Sequence, residues 1–224
     1  KRIKYITSNS KLVRKDSILI VDYRKNFKLN YISEAINKGT VAIITNRLEK
    51  NIIVPQFLFE NLEQISIDIS LKLKKRPPSN IIGITGTNGK TSVVWIVSNI
   101  IKLSGKNVKS LGTLKYFKNL KKISDTNLTT PEIEDLYQYA FDSYSKKKEF
   151  VFEISSHSIS KKRIKNFPIN IAAITNITKD HLDFHKTFEK YKKTKFKLFE
   201  KYIKDNGIAI INDKIKGINE LKNN

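Results

Sequence analysis

The 224 residues contain no cysteine and no methionine, only five prolines and a single tryptophan. Without cysteine there is neither a disulfide framework nor a thiolate metal site. No apolar run approaches the ~20 residues that a membrane-spanning helix requires. The opening stretch Lys1–Thr7 mixes charged and apolar residues and lacks the apolar core of a signal peptide. Acidic residues are few, 21 against 43 basic ones, which leaves a net charge of +22. Arginine is also sparse, confined to positions 2, 14, 24, 47, 76 and 163. Arginine is the side chain that reads bases and grips phosphates bidentately, so a lysine excess spread along the whole chain leaves only a diffuse footprint. No nucleic-acid partner is expected, and a cytoplasmic location is. A chain that lacks methionine, opens at Lys1 and closes at Asn224 is expected to be part of a longer polypeptide.

What is present is a globular composition. Hydrophobic residues make up 39%, with twelve Phe and nine Tyr, too apolar for a disordered chain. The segment Leu73–Ser79 (LKKRPPS) joins a charged stretch to Pro-Pro and reads as a linker. Before it, SILIVDY (17–23) and TVAIITN (40–46) read as strands, and Tyr31–Lys38 and Leu62–Lys74 as helices. After it, NIIGIT (80–85), FVFEI (150–154), INIAAITNI (169–177) and GIAII (207–211) read as strands. Helices are predicted over Lys90–Leu103, Pro131–Lys147 and Phe188–Tyr202. Continuous apolar strands separated by helices indicate an α/β fold with a mostly parallel sheet covered by helices. The expected domains are 1–76, a small N-terminal α/β domain, and 77–224, a P-loop domain incomplete at its C-terminal end. Ligands of such sheets bind outside the carboxyl ends of the strands.

GITGTNGKT (83–91) lies between a predicted strand and a predicted helix. Its glycines let backbone N–H groups curl toward an anion at the positive end of a helix. Lys90 is placed to reach the outer phosphates and Thr91 to ligate magnesium. The common pattern G-x-x-x-x-G-K-[ST] has Gly at the position of Ile84, so this is a variant P-loop. Glu153 ends an apolar strand, where P-loop enzymes place a group that holds magnesium; an exposed strand-end carboxylate is the plainer reading. His181, Asp183 and His185 have the spacing of a zinc site but lack a Glu placed as general base; a polar loop is the alternative. Thr129-Thr130-Pro131 reads locally as a helix start.

Taken together and in this order, GITGTNGKT, TTP (129–131), EISSHSISKKR (153–163) and TNITKDHLDFHKTFEKYKKTKFKLF (175–199) resemble the Mur ligase family of ATP-dependent amide-bond-forming enzymes. Ser8–Lys11 resembles an Asp-Ser-Arg segment of one branch, with Asn9 and Lys11 departing from it. That branch adds the third amino acid, meso-diaminopimelate or L-lysine, to UDP-MurNAc-L-Ala-D-Glu in peptidoglycan synthesis. The resemblance implies ATP and Mg2+ as cofactors, an acyl-phosphate intermediate, and UDP-MurNAc-dipeptide and an amino acid as substrates. It implies that Gly86, Thr87, Asn88, Gly89, Lys90, Thr91 and Ser92 wrap the phosphates, and that Thr91 and Glu153 hold one Mg2+ and His181 a second. Lys195 matches a carboxylated lysine that positions metal. Lys90, Glu153, His181 and Lys195 form the implied catalytic set, and Ser10, Thr129, Thr130, Ser155, Lys161 and Arg163 the implied substrate contacts. Lys161 stands where the family usually has Gln, and Leu128 where it usually has Asn. A monomeric full-length protein with a third domain is expected, and the chain as given is not expected to complete ligation alone. The alternatives are a folylpolyglutamate synthase or another Mur-type ligase, a basic P-loop ATPase acting on nucleic acid, and a degenerate copy that keeps only the fold.

Overall fold

The computed structural model describes residues 3–25, 28–73, 77–126, 128–141 and 148–222. Positions 74–76 of the expected linker and 142–147 of the expected helix Pro131–Lys147 lie outside the described residues. The chain forms two compact units, Lys1–Arg76 with Glu132–Ser143, and Pro77–Pro131 with Tyr144–Asn224.

The first unit is built on four parallel strands, β1 (Tyr5–Thr7), β2 (Ser17–Val21), β3 (Thr40–Thr45) and β4 (Gln56–Leu58), in that spatial order. Both faces of the two central strands are covered, which is why their sequences are apolar throughout rather than alternating. Ile18, Ile20, Ala42 and Ile44 pack beneath Leu62, Ile65 and Ile69 of α2 (Leu62–Leu73). Leu19, Val21 and Ile43 point the other way, onto Ile32 and Ala35 of α1 (Asn30–Asn37).

The second unit carries a seven-stranded sheet. β5 (Asn80–Thr85) lies between β9 (Lys148–Glu153) and β10 (Ile169–Ile174), with β6 (Asn107–Gly112) beyond β9 and β11 (Ile203–Ile210) beyond β10. These five strands are parallel. An antiparallel hairpin, β7 (Lys115–Lys118) and β8 (Lys121–Ser124), extends the β6 edge. Ile84, Val108 and Val151 meet Val94 of α3 (Lys90–Leu103) on one face. On alternating positions, Phe150 and Phe152 stack at 5.3 Å and both meet Phe167 in near-perpendicular, edge-type contacts. The chain leaves β5 toward β6 on one side, whereas β10 joins on the other, and the crevice where such connections diverge is where ligands bind.

Several expected elements change length. INIAAITNI ends as a strand at Ile174, because the following Thr and Asn side chains bond to the loop after β5. The helix expected over 188–202 is α-helical only across Phe188–Lys197 and then opens into a wider π turn, Leu198–Tyr202. β1, β4, β6 and the hairpin are additions to the sequence reading.

Helix α4 (Ile133–Ala140) belongs to the first unit, where Gln138 donates to the Ile6 carbonyl at 3.3 Å. The sequence pattern alone places it in 77–224, and the contacts it makes put it in the first unit instead. Its consecutive acids Glu134 and Asp135 are both buried. Burial raises both carboxyls; Glu134 raises Asp135 further, while hydroxyl donors on Ser8 and Thr7 oppose the shift. A carboxyl raised in the fold keeps a proton that the unfolded chain releases, so its contribution to stability is lost as pH climbs through the folded value. Asp135→Asn copies the neutral form. It is expected to raise the urea midpoint at pH 8 with little change at pH 4, flattening the pH dependence. An equal loss at both pH values would contradict this.

Candidate functional site

The loop after β5 turns on two glycines, Gly86 at φ 144° and Gly89 at φ 81°, in the region that side chains disfavour. At Gly86 there is also no room, since a Cβ would lie 1.9 Å from Thr175 Oγ1. The segment after β10 clasps the loop. The Thr87 N–H donates to the Asn176 carbonyl at 2.9 Å and the Asn88 N–H to Asn176 Oδ1 at 3.0 Å. Thr175 Oγ1 donates to the Asn88 carbonyl at 2.7 Å. Thr87 Oγ1 lies 3.0 Å from Tyr191 Oη and accepts from the Thr178 N–H. Two loop amides are thus spent inside the protein. The first amides of α3 are not capped by a side chain, with Gly89 at the cap position. They are the donors, at the positive helix end, that the loop offers to an anion.

Two lysines fold onto this loop. Lys90 Nζ donates to the Gly86 and Thr87 carbonyls at 2.9 and 2.7 Å, and Lys195 Nζ to the same Gly86 oxygen at 2.7 Å. Burial holds the Lys90 ammonium below its ordinary value, opposed by Glu153 and Asp180. Lys195 is 1% exposed. Burial, with Lys90 nearby, brings it down to about 7, with Asp180 opposing.

Glu153, also 1% exposed, ends β9, the neighbour of β5. Its Oε1 accepts from the Thr113 N–H at 2.7 Å and its Oε2 from the Thr113 hydroxyl at 3.2 Å. Thr130 is buried; its hydroxyl donates to the Glu153 carbonyl at 2.8 Å and accepts from the Ser155 N–H at 3.1 Å. Ser155 Oγ caps α5 (Ser156–Ser160) by accepting from the Ser158 N–H. Arg163 reaches the Thr130 carbonyl through Nη1 at 3.3 Å.

The three histidines cluster, with His157 against both of the others and against Phe184. The His157 ring lies 4.9 Å from His181, 5.8 Å from His185 and 4.2 Å from Phe184. His157 and His185 are both lowered, mainly by burial and by neighbouring positive groups. His185 is buried with Nε2 3.0 Å from Ser156 Oγ, so its ring serves packing. Among the described residues no group of three or more His, Asp and Glu side chains is arranged to hold a metal ion. The zinc reading of the His181–His185 spacing therefore lacks a ligand set.

A cavity of about 500 Å3 opens over these strand ends. Thr87, Asn88, Gly89, Lys90 and Thr91 line it together with Glu153, His181 and Lys195. So do Thr129, Thr130, Ser155, Lys161 and Arg163, and Leu128 at one of the departures noted above. Gly86 contributes the carbonyl that both lysines share, and Ser92 is exposed on α3. Ser10 belongs to the first unit, where its hydroxyl donates to Glu34 Oε2 at 2.8 Å. Tyr191, His157 and Thr113 also line the cavity and are not among the site residues expected from the sequence. His157 and Tyr191 carry the signal of lying within motif segments, EISSH and 175–199; Thr113 carries none.

The donors fit magnesium. One carboxylate, one threonine hydroxyl and an imidazole face a cavity rich in lysine. The carboxylate and the hydroxyl are the oxygen donors that a hard cation takes while it keeps water and draws further oxygens from phosphates rather than from a closed protein cage; the His181 imidazole lines the same cavity as a nitrogen donor that such a cation takes less readily.

The fold and the loop define a P-loop α/β protein. Residues 84–224 match the Mur ligase middle domain, and the chain belongs to the Mur ligase family. It is 34% identical over 226 residues to a UDP-N-acetylmuramoyl-L-alanyl-D-glutamate–2,6-diaminopimelate ligase of Rickettsia rickettsii, covering 98% of this chain and 47% of that one. The chain thus spans about half the length of the curated relatives it matches. A solved structure of a ligase of that name superposes with a TM-score of 0.69 at 23% identity, covering 100% of this chain and 46% of the other. A MurF ligase from Thermotoga maritima in complex with ADP gives 0.68 at 22%, covering 97% and 47%. At these identities the two structures speak for the fold. Among the described residues, no helix is long and apolar enough to cross a membrane.

Proposed function

We propose that this chain provides the phosphate-handling part of an ATP-dependent ligase that adds the third amino acid, meso-diaminopimelate, to UDP-MurNAc-L-Ala-D-Glu. The observation that carries the reading is the convergence of Lys90, Thr91, Glu153, His181 and Lys195 on one cavity at the carboxyl ends of β5 and β9. Likeness to relatives named as diaminopimelate-adding ligases supports the choice of amino acid.

The reaction brings together several anions, and the residues present answer that difficulty. Lys90 exchanges the Gly86 and Thr87 carbonyls for phosphate oxygens and neutralises them. The uncapped amides of α3 add fixed dipoles that need no reorganisation. Thr91, Glu153 and His181 would hold Mg2+, which when bound supplies Lewis-acid neutralisation of the transferred phosphoryl group. Lys161 and Arg163 give the substrate side of the cavity its positive charge, and Thr129 offers a hydroxyl there. Thr130 shapes that wall through the backbone, since its hydroxyl both donates and accepts within the protein, whereas Ser155 Oγ accepts from the Ser158 N–H and keeps its proton to offer to the substrate. Ser10, in the first unit, is proposed as a contact to the UDP part. Lys195 is proposed to become a carbamate. Its amine near pKa 7 is largely neutral at mildly alkaline pH and attacks CO2, forming the N–C bond and releasing a proton.

Calorimetric titration with UDP-MurNAc-L-Ala-D-Glu and, separately, with a dihydropteroate tests the assignment. Binding of the first and not of the second is the expected result. The reverse preference would move the chain to the folate-directed ligases.

A further inference from the structure

Glu153 does not stand free at its strand end. One residue, Thr113, grips both of its oxygens, through the backbone N–H at 2.7 Å and the hydroxyl at 3.2 Å. A carboxylate only accepts, and a threonine hydroxyl has one proton to give. With that proton on Glu153, Thr113 Oγ1 turns a lone pair toward Thr129, whose Oγ1 lies 3.3 Å away. The chain of donation therefore runs from Thr129 through Thr113 to Glu153.

The preceding residue makes this grip possible. Gly112 closes β6, which pairs with β9 up to Leu111 opposite Phe152, so the turn lies beside the end of the strand that carries Glu153. A Cβ on Gly112 would lie 2.1 Å from Glu153 Oε1 and 2.6 Å from its Cδ and Cγ. Any side chain there would push the carboxylate off Thr113.

We propose that Gly112 and Thr113 form a carboxylate clamp, with Thr113 a positioning residue that aims Glu153 at a divalent cation bound with polyphosphate and ties it to the hydroxyl of Thr129. The clamp rests on the reading of the cavity as a magnesium–nucleotide site. A free glutamate spreads over many rotamers, and fixing it beforehand removes that ordering cost from cation binding. Both donors approach the carboxylate from the β6 side, which leaves its remaining lone pairs for the cation. Because hydrogen bonds in a chain polarise one another, a ligand that engages Thr129 changes the grip on Glu153, and by linkage the cation changes affinity at Thr129.

The test measures ATP binding to the chain by calorimetry, once in EDTA and once in Mg2+, and takes the ratio of the two affinities. Thr113→Val keeps the N–H and the shape but removes the hydroxyl. It is expected to cut the Mg2+ enhancement by roughly tenfold, the worth of one hydrogen bond to a charged group. Thr113→Ser is expected to restore it. Gly112→Ala, which keeps the hydroxyl but displaces the carboxylate, is expected to lose it as well. A merely structural role would weaken both affinities alike and would not be rescued by serine. Full Mg2+ enhancement in Thr113→Val or Gly112→Ala, together with its loss in Glu153→Gln, overturns the clamp alone. Wild-type binding indifferent to Mg2+ overturns the nucleotide–metal reading and the clamp with it.

Discussion

Lys90→Ala is expected to weaken binding of ATP with Mg2+ by at least about a hundredfold, the scale on which removal of a buried charged donor acts. In the structure its ammonium rests on the Gly86 and Thr87 carbonyls, between the loop and the cavity. A phosphate oxygen needs to move that ammonium only a short way. The low effective dielectric that holds the Lys90 value down also strengthens its attraction to an anion. Lys90→Arg is not expected to rescue, because a planar guanidinium does not fit a place shaped for a compact ammonium beside Lys195. Titration calorimetry checks this directly, and an affinity within about threefold of wild type would remove Lys90 from the phosphate site.

The second large effect concerns Lys195. An ammonium buried beside Lys90 is costly in its charged form, which is why burial brings it to about 7 from an ordinary 10.5. Between those values the unfolded chain binds a proton that the fold does not, so stability is expected to rise as pH increases from about 7 toward 10. Lys195→Met, an apolar side chain of similar length, is expected to make that slope clearly shallower in urea midpoints measured across the range, leaving the part that comes from Lys90. The same neutral amine is expected to take up CO2. In 13C-bicarbonate at mildly alkaline pH, wild type is expected to give a carbamate carbon resonance that Lys195→Met lacks. A carbamate replaces one of two adjacent positive charges by a negative one and turns a donor into an acceptor facing the cavity. Identical spectra for the two proteins would leave Lys195 a structural ammonium on Gly86.

The phosphate loop was legible because its chemistry is local. Gly-Lys-Thr falls between one apolar strand and one apolar helix, and the helix bounds Lys90–Leu103 agree with the structure. Glu153 stands out in the sequence as an acid closing an apolar run, but the plainer reading there, an exposed strand-end carboxylate, is wrong, because the side chain is 1% exposed. Thr113 was not legible, because the strand it follows, Asn107–Gly112, interleaves Lys109 and Ser110 with apolar residues, and both are buried there. A buried lysine breaks the pattern by which strands are recognised. The segment after Ile174 read as strand because Ile177 continues the apolar run. Its Thr and Asn side chains find better partners in the loop than in the sheet. Periodicity in α4 gave the helix but not its docking, so the burial of Glu134 and Asp135 within the first unit was invisible. Lys195 carries no distinguishing local signal among so many lysines. Only the family resemblance selected it, and its burial against Gly86 is a property of the fold.

The most direct test of a shared phosphate and cation site is a crystal of the chain grown with Mn2+ and a non-hydrolysable ATP analogue, read by anomalous scattering. A manganese peak is expected within coordination distance, about 2.0–2.4 Å, of Thr91 Oγ1 and a Glu153 carboxylate oxygen, with phosphate oxygens against Lys90 and the first amides of α3. Manganese and phosphates bound elsewhere, with Glu153 still closed on Thr113 and Lys90 still on Gly86, would contradict it.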